Sequence, residues 1–172
     1  MCDNNVDLIL KYKKASLWLG NRNAALDLDF LKKANISLVI NCTENLPFIY
    51  DVSDEFMTLE SIRIPINDTS SDKDNMKMKD GLIKILPIIH DKFINKQKNI
   101  LIHCYAGVSR SASVMAATLF YIFKKDKNLN ITNDKELLNN IIQFIINRRS
   151  CTFYYGTKLN FRNALVKTFN IK

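Results

Sequence analysis

His103-Cys104-Tyr105-Ala106-Gly107-Val108-Ser109-Arg110-Ser111-Ala112 follows a short apolar run, Ile100-Leu101-Ile102, and leads into a long apolar stretch from Ala112 to Phe123. That order predicts a buried strand, a tight loop and a helix. A strand-loop-helix gathers successive backbone N–H groups and a helix N-terminus around one point, and such a point favours an anion. This loop opens on a cysteine, Cys104, and closes on an arginine, Arg110.

Working outward, strands alternate with helices before helices take over. Leu8 to Lys14 reads as a short strand or turn, and Ser16 to Gly20 as a strand. Leu26, Leu28, Phe30, Leu31 and Ala34 have helical spacing, Ser37 to Cys42 is an apolar strand, and Ile62 to Ile66 alternates. Pro65 places that last strand at an end or an edge. Thr69 to Lys79 is polar and reads as a loop. Gly81 to Asn95 carries a helical apolar face with Pro87 as an expected kink. After Ile100 to His103 come helices at Arg110 to Phe123, Lys135 to Asn147 and Tyr155 to Phe169, the second capped by Thr132 or Asn133. The pattern is that of an α/β domain with a central sheet. It divides into an N-terminal segment, 1–15, and a single domain, 16–172.

Bulk properties agree with one soluble globular domain. The 172 residues are 47% hydrophobic and 24% charged, both ordinary values. No apolar run approaches the roughly 20 residues of a membrane helix, so no membrane partner is expected. Met1 to Asp7 lacks the basic start and small-residue cleavage site of a secretory signal. Lys+Arg 25 against Asp+Glu 17 leaves +8, which suits phosphorylated proteins, nucleic acid or anionic lipid alike. The basic clusters lack the aromatic interleaving of a single-strand binder, so nucleic acid is not the expected partner. Cys2, Cys42, Cys104 and Cys151 are widely spaced without a C-x-x-C pair, which argues against a zinc site or a disulfide framework. A reducing, cytoplasmic setting is expected.

A free cysteine has a pKa of about 8.5, and surroundings rich in positive dipoles lower it to roughly 3.5–7.5. Here the expected sources are the amides of Tyr105, Ala106, Gly107, Val108, Ser109 and Arg110, the helix N-terminus and the Arg110 charge. Gly107 permits the positive φ that lets the amides converge. Arg110 offers a planar fork to two phosphate oxygens, and Ser111 stands close enough to hydrogen-bond the sulfur. A thiolate beneath a phosphate gripped by guanidinium points to nucleophilic phosphoryl transfer. Chance placement of His, Cys, Gly, Arg and Ser at these positions is roughly a one-in-a-hundred-thousand event for this length.

These residues resemble the His-Cys-x-x-Gly-x-x-Arg-Ser signature of the cysteine-dependent protein tyrosine phosphatases, and His103 to Ala112 is most similar to the dual-specificity branch. Leu19-Gly20-Asn21, Leu38-Val39-Ile40-Asn41 and Ile64-Pro65-Ile66-Asn67-Asp68 resemble, in order, the family's opening strand, second core strand and general-acid strand. The resemblance implies a central mixed β-sheet flanked by helices, with the phosphate-binding loop between a core strand and a helix. It implies Cys104 as nucleophile, Arg110 as phosphate binder, Ser111 as helper of the leaving sulfur and Asp68 as general acid. Asp68 lies a few residues farther from Cys104 than this branch normally places it, and Asp72 and Asp74 share its polar segment. No metal or cofactor is implied.

By the same resemblance His103 supports the loop, Arg148 and Arg149 border a substrate groove or form a plain helix-end charge pair, and Cys42 is a redox partner of Cys104 or a buried thiol. The expected function is that of a small, catalytic-domain-only dual-specificity protein phosphatase acting on phosphorylated proteins. The alternatives are an RNA 5′-triphosphatase or phosphoinositide phosphatase, which the neutral loop residues disfavour, and a phospho-binding pseudophosphatase.

Overall fold

The computed structural model describes residues 4–48, 59–69, 71–126, 129, 132–153 and 161–172. Five strands form one sheet: β1 (Val6–Tyr12), β2 (Ala15–Gly20), β3 (Ile36–Asn41), β4 (Glu60–Arg63) and β5 (Asn99–His103), in the spatial order β1-β2-β5-β3-β4. Only the β1–β2 pair is antiparallel. The strand that delivers Cys104 therefore lies at the centre. Ile100 and Ile102 face the larger core and Leu101 the smaller one, because side chains alternate along a strand. The N-terminal segment supplies β1, the sheet's edge strand.

Helices cover both faces. On one lie α1 (Arg22–Leu26) and α2 (Leu28–Lys33), burying Ala25 and Leu31. On the other lie α3 (Asp72–His90), α4 (Arg110–Lys125), α5 (Asp134–Arg148) and α6 (Arg162–Phe169). Helix α4 packs against α3, α5, α6 and the sheet, so every residue from Ser111 to Phe120 is buried. That explains why its sequence is apolar on all sides. Among the described residues no helix is long and apolar enough to cross a membrane.

Three of the expected elements need correction. The single helix expected over Leu26 to Ala34 is two, broken where Asp27 ends α1 and caps α2, its carboxylate accepting from Phe30 N at 2.9 Å. The expected loop from Thr69 to Lys79 is helical from Asp72. Ser71 caps it by accepting from Asp74 N at 3.1 Å, and Asp72 and Asp74 occupy the dipole-favoured first turn. The strand expected to reach Ile66 ends at Arg63, with one further bond from Ile64 N to Asn41 O, because Pro65 has no N–H to continue the ladder. The described part of the last helix begins at Arg162, with buried Phe161 at its cap; residues 154–160 lie outside the described set. Pro87 does sit inside α3, which runs on into a π-helical turn at Asp91–Asn95. The cysteine spacing argued against a disulfide framework, yet Cys151 is disulfide-bonded. Wide sequence spacing does not keep two thiols apart in space.

Gly81 fixes how closely α3 approaches the segment after β4. A Cβ there would stand 2.5 Å from Ile64 Cγ2, so any larger residue would push α3 away from the strand that leads to Asp68.

Candidate active site

Strand β5 ends at His103, Cys104 to Ser109 form the loop, and α4 starts at Arg110. Three loop carbonyls are held from outside. Arg22 N donates to Tyr105 O at 3.1 Å, Arg149 Nε to Gly107 O at 3.0 Å and Phe153 N to Val108 O at 3.1 Å. The described peptides are all trans, and in a trans peptide C=O and N–H point in opposite directions. Anchoring these carbonyls therefore turns the N–H groups of Ala106, Val108 and Ser109 away from the anchors. Gly107 takes φ +71, and a Cβ there would meet Gly20 O at 2.7 Å and Arg149 Nη2 at 2.8 Å. Backbone conformation and space both require glycine.

The Cys104 sulfur is 1% exposed at the residue level and accepts two hydrogen bonds, from Gly107 N at 3.2 Å and Ser111 Oγ at 3.1 Å. Two donors converge on one sulfur and fix its position at the base of the loop. Ser109 opens α4 without a side-chain cap bond, leaving the positive helix end to the loop. Arg110 Nη1 donates to Ile66 O at 3.0 Å, and Nε lies 3.5 Å from Asp68 Oδ2 without forming a hydrogen bond. The Arg110 side chain thus ties the loop to the segment carrying Asp68.

The three aspartates differ in their surroundings. The Asp68 side chain is 42% exposed and faces Arg110. Asp74 is buried and accepts from the hydroxyls of Thr69 and Ser71. Those bonds, Thr69 foremost, hold its carboxyl below the usual range against the opposing effect of burial. Asp72 is exposed in the first turn of α3.

His103 is buried, with Nδ1 3.4 Å from Cys104 O and Nε2 without a partner among the described residues. Burial pushes its pKa down to about 4, so the ring is neutral at pH 7. An unfolded histidine titrates near 6.5, so the unfolded chain binds the extra proton between the two values. The stability this gives is present above about pH 6.5 and lost as pH falls toward 4. Urea unfolding should show a loss of about 2 kcal/mol from this group between pH 7 and pH 5. The same comparison in His103→Gln should lack that increment; an equal loss would assign it elsewhere.

Cys42 continues β3 alongside, its N–H donating to His103 O at 2.8 Å. Its thiol is free and buried, pushed up by burial first and by the Cys104 charge second. Arg148 is exposed and stacks on the Phe144 ring at 3.5 Å. Arg149 does not border an open groove as expected: it is 2% exposed and lies behind the loop, bonded to Gly107 O. The roles of Arg22, Arg149, Phe153 and Ile66 as struts had no local signal, since all four act through or upon backbone atoms. Tyr105 is 51% exposed, with the Arg22 guanidinium 4.3 Å from its ring centroid and bonded to its hydroxyl. This pair forms an open rim.

A sheet whose central strand feeds a Cys-x5-Arg loop into a buried helix defines the protein tyrosine phosphatase-like fold. Residues 17–153 match the family model for the dual specificity phosphatase catalytic domain. Human dual specificity protein phosphatase 7 is 30% identical over 138 residues, which is 74% of this chain and 31% of that protein. The chain spans about a third of the length of such curated relatives. Among solved structures, the Yvh1 phosphatase domain from Chaetomium thermophilum aligns with a TM-score of 0.69 at 19% identity, covering 96% of this chain and 95% of that one. Human DUSP28 aligns at 0.63 with 18% identity, covering 94% and 92%. These structures bear on fold alone. The chain belongs to the dual specificity phosphatase family.

Proposed function

We propose that this chain hydrolyses phosphotyrosine and phosphoserine or phosphothreonine in proteins through a phosphocysteine intermediate. The observation that carries the reading is the Cys104 sulfur held by Gly107 N and Ser111 Oγ, in a loop whose closing residue, Arg110, faces Asp68. Cys104 attacks phosphorus in line, the ester P–O bond breaks, and Asp68 protonates the departing oxygen. Ionised Asp68 then takes a proton from water, which attacks the phosphocysteine; the S–P bond breaks and inorganic phosphate leaves. Gly107 N–H and Ser111 stabilise the sulfur as it departs. Amides and guanidinium neutralise the phosphoryl oxygens.

Neutral residues at Tyr105, Ala106, Val108 and Ser109 favour phosphoproteins over polyanionic phosphoinositides or RNA 5′-triphosphate. The intact Cys104 and Arg110 favour turnover over mere phosphate binding. Asp68 is assigned as the acid because it alone of the three aspartates faces Arg110. Asp68→Asn should lower kcat on phosphopeptides on the order of 10²-fold and remove the basic limb of the pH profile. The check is that profile measured beside Asp72→Asn; loss of the limb in the Asp72 variant instead would overturn the assignment.

A further inference from the structure

Arg149 is among the largest fully buried side chains, and a buried guanidinium persists only when paired and hydrogen-bonded. Its partners come from two distant parts of the chain. Nε donates to Gly107 O at 3.0 Å; Nη1 donates to Asn4 O at 3.1 Å and pairs with Asp7 Oδ2 at 2.5 Å. Nη2 has no hydrogen-bond partner among the described residues. Asp7 lies on β1, where it faces Leu19 of β2 in the sheet register. One planar fork thus spans from the N-terminal edge strand to the apex of the loop.

The Gly107 peptide is where this matters. Its N–H is committed to the Cys104 sulfur, while its C=O is drawn toward Arg149. The latter bond sets the plane of the Gly107–Val108 peptide, and with it the direction of Val108 N–H. We propose that Arg149 is a positioning residue that aims the Val108 amide at bound phosphate, and that Asp7 holds Arg149 in register to do so. This rests on the phosphate-binding reading of the loop and extends it: the N-terminal strand becomes part of the oxyanion machinery without touching substrate. Lysine could not replace Arg149, because a point charge cannot serve both Gly107 O and Asp7 in one plane.

The test measures vanadate affinity by calorimetry and p-nitrophenyl phosphate kinetics in Asp7→Asn, Arg149→Met and the double variant, with thermal melts to establish folding. Misaiming one amide should weaken vanadate binding and lower kcat by about 10- to 100-fold, with a smaller change in KM. The double variant should be no worse than Arg149→Met, because Asp7 acts only through Arg149. Asp7 is partly exposed, so Asp7→Asn keeps the test available if Arg149→Met does not fold. A folded Asp7→Asn protein with unchanged vanadate affinity overturns the relay, as do additive losses in the double variant. Because binding is read separately from turnover, a protein that binds vanadate but hydrolyses nothing breaks the catalytic reading only, and the variants' affinities then decide the relay. Absence of vanadate binding by the unaltered protein overturns both.

Discussion

Cys104→Ser is expected to lower turnover of p-nitrophenyl phosphate by on the order of 10⁵-fold or more, the scale of losing a nucleophile that works as part of a unit. Serine is nearly isosteric, so Gly107 N and Ser111 Oγ keep a partner at about the positions now occupied by Sγ. What changes is the chemistry. An alcohol is a weak nucleophile unless an adjacent base activates it, and His103, the nearest imidazole in sequence, is buried with Nδ1 directed at Cys104 O rather than at the sulfur. The loop's amides and Arg110 remain, so noncovalent tungstate binding should persist while catalysis disappears. Calorimetry and steady-state kinetics on one preparation check both halves. Appreciable turnover by the serine variant would mean that the sulfur is not the attacking atom.

Arg110→Ala carries the second-largest expected effect. A guanidinium that meets a transferring phosphoryl group contributes between about 10³- and 10⁵-fold to kcat in other phosphoryl-transfer enzymes. Arg110 does two things at once here: Nη1 fastens the loop to Ile66 O, and Nε, without a hydrogen bond, lies beside Asp68. Removing it would take away the proposed phosphate fork and free the segment that carries the proposed acid. Both kcat and KM should therefore suffer. Arg110→Lys is the informative companion, since it restores charge without the planar fork. If the fork matters, lysine recovers little of the lost kcat. Recovery to near the original rate would show that charge alone suffices.

The loop was legible because its chemistry is local. Cysteine, glycine, arginine and serine stand at fixed positions between an apolar strand and an apolar helix, and β5 and α4 formed where that pattern placed them. The elements read least well were those whose determinants lie in caps or in distant partners. Helix α3 starts in a polar stretch because Ser71-x-x-Asp74 caps it, a signal that apolar periodicity does not register. Arg149 read as a groove-bordering residue or a helix-end charge beside Arg148, and only folding brings it to Gly107, 42 positions away in sequence, and to Asp7. The struts from Arg22 N and Phe153 N are backbone groups, which no residue type announces. Motif residues were thus visible in the sequence, while the scaffold that aims them was not.

The most direct measurement is to catch the phosphoryl group on sulfur. p-Nitrophenolate leaves without needing a proton, so Asp68→Asn should still form the covalent intermediate while slowing its hydrolysis. Acid quenching after mixing with p-nitrophenyl phosphate, followed by peptide mass spectrometry, should then find one phosphoryl group on the peptide containing Cys104, with phosphorus bonded to sulfur. A phosphoryl group on any other residue, or continued turnover with Cys104 never modified, would contradict nucleophilic catalysis by this thiol.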